Sequence, residues 1–206
     1  MRSLGDAGFD IVHGFDAAQV APRFALLAGR ERHGLLVGNT RALWPAFQAA
    51  RRDEPDPLDR YTERTLAAAF PGARIYYGHH RYASEPAPLG GDPQYLPLGQ
   101  LAAAVGLGAL APSHLLIHPV HGPWLALRAV VLLDGDPPAT APLAAPPCAC
   151  CFGADPACTV ALARALTSTD WRDWLAVRDA CQLRADRYSD EQLAFHYAEL
   201  ARQLAG

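Results

Sequence analysis

The alternation of hydrophobic and polar residues along the chain predicts a mixture of strands and helices. Short apolar or alternating runs rich in β-branched and aromatic residues predict strands, and apolar positions spaced three and four apart predict helices. The predicted strands are 7–15, 33–39, 73–82, 113–119 and 123–135. The predicted helices are 21–29, 40–52, 59–70, 98–110, 158–168 and 189–205. Because strands occur both side by side and separated by helices, the order favours an α+β fold with a mainly antiparallel sheet.

Short motifs define several boundaries of these elements. Thr40 is the predicted N-cap of helix 40–52, and Ser189 with Gln192 has the spacing of a capping box. The tripeptide "VHG" predicts a hairpin turn that pairs strand 113–119 with strand 123–135.

Composition and charge narrow the class of protein. A chain of 206 residues, half of them apolar, is best explained by one domain over 1–206, with a loop rich in Pro, Ala and Cys at about 137–158. The net charge of -3 gives no reason to expect nucleic-acid binding. No apolar run reaches the roughly 20 residues of a membrane span, and no signal peptide is visible at the N-terminus. We therefore expect a cytoplasmic protein.

Four of the five cysteines crowd into the segment "PPCACCFGADPAC". The pair Cys148 and Cys151 has the C-x2-C spacing of a zinc site, but the chain offers no second such pair. The run also differs from the ferredoxin pattern of iron–sulfur proteins. A thiol-rich loop without metal is the simpler interpretation, and a zinc or iron–sulfur site is the alternative. The candidate ligands are Cys148, Cys150, Cys151, Cys158 and Cys181.

Four of the eight histidines form two close pairs, and neither pair is strong evidence for a metal site. His118 and His121 lie in the predicted hairpin turn, and His79 and His80 lie at the end of a predicted strand, where we expect solvent around them. No glycine-rich phosphate-binding loop is present.

The segment "DWRDWLAVRDACQLRADRYSDEQLAFHY" (170–197) combines tryptophans, tyrosines and arginines. On a helix Trp171, Trp174 and Arg178 share one face, an arrangement that suits a flat ligand carrying an anionic group. The alternative is that both tryptophans pack on the sheet while Arg178 pairs with Asp173 or Asp179.

Two long motifs resemble the CblC family of vitamin B12-processing proteins. One is "WRDW…RDA…RYSDEQ.AF", and the other is "IHPVHGPWLALRAVVLLDGDPP" (117–138). Weaker similarity continues through "AGFDIVHGF", "GLLVGNTRALW" and "DPLDRYTERTL…FPGARI". The stretch "LAAAVGLGAL…LLIHPVHGPWL" (101–125) also resembles the cobalamin-binding core of epoxyqueuosine reductases and reductive dehalogenases.

The resemblance implies a fold like that of the flavin nitroreductases and a pocket that binds cobalamin base-off. It also implies removal of the upper axial ligand. Cyanide would leave after cobalt is reduced with reduced flavin (FMN) as electron source, and alkyl groups would pass to the thiolate of glutathione. The residues that the resemblance places against cobalamin are Leu98, Gly106, Leu107, Ser113, His114, Leu115, Leu116, Trp124, Trp174 and Tyr188. The matching arginines for the thiol's carboxylates are Arg128, Arg178 and Arg202.

Arg128 also stands out without the resemblance. A single arginine inside the apolar run "WLALRAVVLL" is costly to bury unless it has an anionic partner, either an internal acid or a ligand.

The chain departs from the family near the upper face of the implied pocket. Ala103 replaces a histidine of the family, and "ALA" (109–111) replaces aromatic residues. Three interpretations remain: a reductive decyanase or alkylcobalamin dealkylase, a cobalamin carrier without turnover, and a flavin or iron–sulfur reductase on the same fold. Cobalamin and a reductant or thiol are the expected partners, and a homodimer is a further expectation.

Overall fold

The structure, a computed structural model, describes residues 3–82, 94–139 and 156–205, with side chains as far as Ala198. Its strands are β1 (Ile11–Asp16), β2 (His33–Asn39), β3 (Arg74–Tyr77), β4 (Arg81–Tyr82), β5 (Gln94–Tyr95), β6 (Ala109–Leu110), β7 (Leu116–Ile117) and β8 (Ala126–Leu133). Its helices are α1 (Ala17–Val20), α2 (Leu43–Ala50), α3 (Pro57–Ala69), α4 (Leu98–Ala104), α5 (Ala157–Ala165), α6 (Trp171–Asp179) and α7 (Asp190–Ala205).

The central layer is an antiparallel sheet in the order β1–β2–β8–β3. Strand β8 lies between β2 and β3 and is buried on both faces, which explains its continuous apolar run. Val130 and Leu132 point to the side of α4, whereas Ala129 and Val131 point to the side of α2 and α3. The sheet is therefore covered by helices on both faces, and the predicted α+β fold with a mainly antiparallel sheet is confirmed.

A second group of elements packs beside this sheet. The short ribbon of β6 and β7 contacts α5 and α6 through a separate apolar cluster that contains Ile117, Cys158 and Val177. Another cluster joins Trp124, just before β8, to α6 and α7 through Leu175 and Leu193. These contacts bring the strand that carries Arg128 against the helix that carries Arg178. In the described ranges no helix has both the length and the apolar character needed to cross a bilayer.

Strand β2 matches the predicted strand 33–39, and β1 and β3 are shorter than predicted. The predicted helix 40–52 begins only at Leu43, because Thr40 is held outside it: its backbone N donates to Asp10 Oδ1 over 2.7 Å. Ser189 does cap α7, since its Oγ accepts from the backbone N of Gln192 over 3.2 Å.

Three predicted elements, two helices and one hairpin, are wrong. Instead of a helix over 21–29, the structure has α1, capped by Asp16, and a 3₁₀ turn over Ala25–Leu27. The helix predicted over 98–110 ends at Ala104, since Gly106 adopts a φ of +84° that continues no helix.

The predicted hairpin between 113–119 and 123–135 is also wrong. Residues Leu116–Ile117 pair with Ala109–Leu110, while β8 pairs with β2 and β3. A single bridge between His118 and Gly122 remains at the "VHG" turn. Pro119 and Pro123 flank this turn and have no N–H to donate, so a ladder cannot continue from it.

Candidate anion site at the start of strand β8

A cavity of about 260 Å³ lies where β8, α6 and α7 meet. It is lined by Ala126, Arg128, Arg178, Tyr188, His196 and Tyr197. Arg128 comes from the central sheet, Arg178 from the last turn of α6, and the two aromatic rings with His196 from the chain leading into and through α7. Residues far apart in sequence thus meet at one place.

Arg128 reaches the cavity with part of its guanidinium unused. Its Nε donates to Oδ1 of Asn39 over 2.8 Å, and its Nη2 is buried without a hydrogen-bond partner among the described residues. Burial lowers the pKa of Arg128, because the charged form loses its solvation. A buried cation with an unsatisfied donor is unfavourable unless an anion completes it.

Arg178 has no acidic partner among the residues that the structure describes. Asp173 pairs with Arg164 over 2.8 Å, and Asp179 pairs with Arg187 over 2.9 Å. The internal ion pair that the sequence offered as an alternative for Arg178 is therefore not formed. The Arg178 guanidinium carbon instead lies 5.9 Å from the ring centroids of both Trp124 and Tyr188, within cation–π distance.

Tyr188 and His196 complete the lining without adding negative charge at neutral pH. The Tyr188 hydroxyl is buried beside the Arg178 guanidinium, without well-formed hydrogen-bond geometry to any residue in the described part of the chain. Burial raises its pKa, although Arg178 and Arg128 act in the opposite direction. Burial lowers the pKa of His196 to about 3, helped by the repulsion of Arg128 and Arg178. The imidazole is therefore neutral, and the two guanidiniums dominate the charge of the cavity.

The aromatic rings are arranged differently from the sequence prediction. The rings beside Arg178 are Trp124 and Tyr188, which meet edge to face with centroids 5.7 Å apart. Trp171 stacks on Tyr197 at 5.3 Å, whereas Trp174 packs in the separate cluster around Cys158 and Cys181. The predicted single wall of Trp171, Trp174 and Arg178 is thus wrong, because the two tryptophans of α6 pack in two different clusters.

Comparison with known proteins finds a structural match without a sequence family. No protein-family model matches the chain, and no curated protein matches it. A crystal structure of a B12-trafficking protein CblC from C. elegans, a homologue of human MMACHC, matches with a TM-score of 0.68. The match has 17% sequence identity and covers 97% of this chain and 90% of that chain. The chain has the fold of a CblC protein.

Within the CblC fold the predicted cobalamin residues fall into three groups. Trp124 and Tyr188 line or border the cavity with the arginines. Leu98 and Leu107 are packed in the core on the α4 side of the sheet, with Leu116 half-buried against it, and Gly106 forms the turn after α4.

The third group surrounds a narrow crevice of about 20 Å³ between β7, α5 and α6. Ser113 and Leu115 line it, and Trp174 packs in the same cluster. The Ser113 hydroxyl is buried without a partner in the described ranges, and its neighbour His114 is exposed with a φ of +63°.

The cysteine prediction can be followed at two of its five positions. Cys158 and Cys181 are buried and line the same crevice. Cys148, Cys150 and Cys151 lie outside the described residues, as does the side chain of Arg202. Metal binding by the cysteines stays a prediction.

Sequence reasoning missed Asn39, His196 and Tyr197. Asn39 is a polar residue at the end of a buried strand, and it is fully buried in the structure. Its place at the end of an apolar run could have marked it as a site residue, because a buried amide needs hydrogen-bond partners. His196 and Tyr197 sit in an apolar helix pattern that gives no such signal.

Proposed function

We propose that the chain is a cobalamin-processing enzyme that removes the upper axial ligand of cobalamin with the help of a small anionic thiol. The CblC fold supports the cobalamin part of this proposal. The observation that carries the thiol part is the pair Arg128 and Arg178, which share one cavity and have no acid partner among the described residues.

Two guanidiniums suit a ligand with carboxylates, because each presents a rigid fork of donors. Glutathione carries two carboxylates and a thiol. A cavity of about 260 Å³ has the size for part of such a peptide. Cobalamin is far larger, and we infer that it lies across the mouth of this cavity, in reach of the thiol.

The local charge also assists the chemistry of the thiol. The thiolate is the nucleophile, and neighbouring guanidiniums favour this form by lowering the pKa of the thiol. In dealkylation the sulfur attacks the alkyl carbon, a thioether forms, and the cobalt–carbon electron pair stays on cobalt as cob(I)alamin. The residues of the chain hold the thiol, exclude water from it and supply no proton.

Reductive decyanation makes a different demand. One electron reduces cob(III)alamin to cob(II)alamin, and cyanide leaves from the weakened bond. The electron donor is then a reduced flavin or another reductant. We propose this activity as the second reaction of the same site, since it needs an apolar environment for cobalt more than a specific side chain.

The test follows the visible spectrum of methylcobalamin and cyanocobalamin mixed anaerobically with the purified protein. A shift to the base-off spectrum reports binding. Decay of methylcobalamin on adding glutathione, or of cyanocobalamin on adding reduced FMN, is the expected result. A base-off spectrum that is stable with both reagents would identify a carrier and overturn the enzymatic part. No spectral change with either cobalamin would overturn the whole proposal.

A further inference from the structure

A compact group of potential metal ligands lies away from the arginine cavity. Glu63 projects from α3, and His79 and His80 follow the end of β3. His79 Nε2 is 3.0 Å and His80 Nε2 is 2.8 Å from the same carboxylate oxygen, Oε1 of Glu63. One nitrogen of each imidazole and one oxygen of the carboxylate all lie within 4.8 Å of one another.

The backbone explains why two adjacent histidines can point to one place. The N–H of Gly78 donates to the carbonyl of Arg128 over 2.7 Å and extends the pairing of β3 with β8 by one residue. A turn follows, in which the N–H of His80 donates to the carbonyl of Tyr77 over 3.2 Å. The Tyr77 ring packs against both imidazoles, with centroids 5.5 and 5.1 Å away. The expectation that these histidines are simply solvated is therefore wrong.

Two of the three separations between the potential ligand atoms are close to what a zinc-like ion needs. Zinc binds imidazole nitrogen and carboxylate oxygen at about 2.0–2.2 Å in tetrahedral geometry, which separates neighbouring ligand atoms by about 3.3 Å. The two nitrogen–oxygen distances here are only a few tenths of an ångström shorter. A small outward movement of the side chains opens the position for an ion.

Charged side chains lie behind two of the potential ligands. Asp59 Oδ1 lies 3.6 Å from His79 Nδ1, the ring nitrogen that does not face Glu63. Arg60 Nη1 donates over 2.8 Å to Oε2 of Glu63 and leaves Oε1 for the histidines. A carboxylate behind a ligating histidine and a donor behind a ligating carboxylate are the usual second partners in metal sites.

We propose that Glu63, His79 and His80 bind a divalent transition-metal ion of the zinc class, with water at the fourth position. The side chain of His80 is 43% exposed, so an ion and a water molecule can reach the group from solvent. Two imidazoles and one carboxylate favour zinc, cobalt or nickel over calcium or magnesium, which prefer oxygen ligands. The ion would clamp the turn after β3 to α3, and its binding would stabilise the folded chain by mass action.

The test uses the full chain without a histidine tag, freed of metal with a chelator and without cobalamin. Zn²⁺ is titrated by calorimetry, and Co²⁺ is titrated while the visible bands of tetrahedral cobalt are recorded. We expect one ion per chain and a melting temperature that rises with Zn²⁺. Glu63→Gln, His79→Gln and His80→Gln should each weaken binding at least about 100-fold, and Asp59→Asn should weaken it about 10-fold.

His33→Gln is the matched control, because it removes a histidine from β2 outside the cluster. It should bind Zn²⁺ like the wild type. Circular dichroism checks the folding of each variant. If Glu63→Gln does not fold, His80→Gln tests the proposal instead, because the His80 side chain is exposed.

X-ray absorption at the zinc edge separates this site from the cysteines. Only nitrogen and oxygen neighbours are expected around the bound ion. Sulfur neighbours, or binding that is lost in Cys158→Ser and Cys181→Ser but kept in His80→Gln, would overturn the proposal. Absence of binding by the wild-type protein would overturn it as well.

Discussion

Asn39 holds Arg128 by a hydrogen bond between neighbouring strands, from Arg128 Nε to Asn39 Oδ1 over 2.8 Å. The amide itself is fixed, since its Nδ2 donates to the carbonyl of Thr40 over 2.8 Å. This chain of bonds directs the guanidinium while providing no negative charge. Asn39 is thus a positioning residue for a cation whose charge remains available to a ligand.

Replacing Asn39 with aspartate should give Arg128 an internal anion and reduce its attraction for an external one. Asn39→Asp is expected to raise the KM for glutathione about 10-fold or more in the dealkylation assay, which corresponds to about 1.4 kcal/mol. Affinity for methylcobalamin should change little. An unchanged KM with a folded variant would show that Arg128 does not contact the thiol.

Arg178 should contribute to thiol binding through its charge, and α6 provides a control. Arg178→Met keeps the length and apolar stem of the side chain but removes the guanidinium. We expect glutathione affinity to fall about 10- to 100-fold, as for loss of a charge-assisted contact. Arg172→Met removes an arginine whose side chain is 69% exposed on the same helix and should bind glutathione normally. Equal effects of the two substitutions would point to net charge instead of a site.

Tyr188→Phe should stabilise the protein without ligand, because it removes a buried hydroxyl that has no partner among the described residues. The expected gain is about 1 kcal/mol, or about 2–4 °C in Tm for a chain of this size. Tyr61→Phe is the opposite control, since the Tyr61 hydroxyl donates to the carbonyl of Ala7 over 2.9 Å, and its loss should destabilise by about 1 kcal/mol. A clear loss of Tm in Tyr188→Phe would mean that the hydroxyl is already satisfied.

His196 should make the folded state sensitive to mild acid. Its pKa falls from 6.5 to about 3 on folding, so the unfolded chain binds more protons between these values. Stability is therefore fully present above about pH 6.5 and decreases as the pH is lowered. Between pH 6.5 and 5 the loss should reach about 2 kcal/mol at most.

His196→Gln removes this titration and should reduce the dependence of urea unfolding on pH in that range, leaving the contribution of His118, whose pKa burial also lowers. The window lies above the 4.5 at which Glu63 titrates in the unfolded chain, so the two groups are separable. The same slope in wild type and variant would contradict the pKa of His196.

Gly122 should tolerate no side chain, because its φ is +58° and an added Cβ would lie 2.5 Å from the carbonyl oxygen of Leu183. Gly122→Ala is expected to destabilise by more than about 2 kcal/mol, through both backbone strain and steric overlap. Gly72 has a φ of +77° but nothing within 4 Å of the added Cβ, so Gly72→Ala should cost only about 1 kcal/mol. Similar Tm values for the two variants would rule out close packing of the 118–122 turn on residue 183.

Elements with a strong local signal could be predicted from the sequence. Strand β2 was predicted at its full length because its short apolar run ends at both sides in polar residues. Helix α3 was predicted over 59–70 because Pro71-Gly72 follows it, and in the structure it begins two residues earlier, at Pro57. Which strands pair with each other could not be predicted in this way. Residues Leu116–Ile117 could equally have paired with β8, and only the competition of β2 and β3 for both edges of β8 excluded it.

The same division holds for the two sites. The sequence by itself determined that Arg128 lies inside an apolar strand and therefore needs an anionic partner, since burying a lone cation is unfavourable wherever it occurs. It could not determine that Asp173 pairs with Arg164 and Asp179 with Arg187, so that neither acid pairs with Arg178. It also could not determine that Glu63 contacts His79 and His80, which lie 16 and 17 residues away in sequence. Those relationships depend on distances between separate elements, and tertiary packing alone sets those distances.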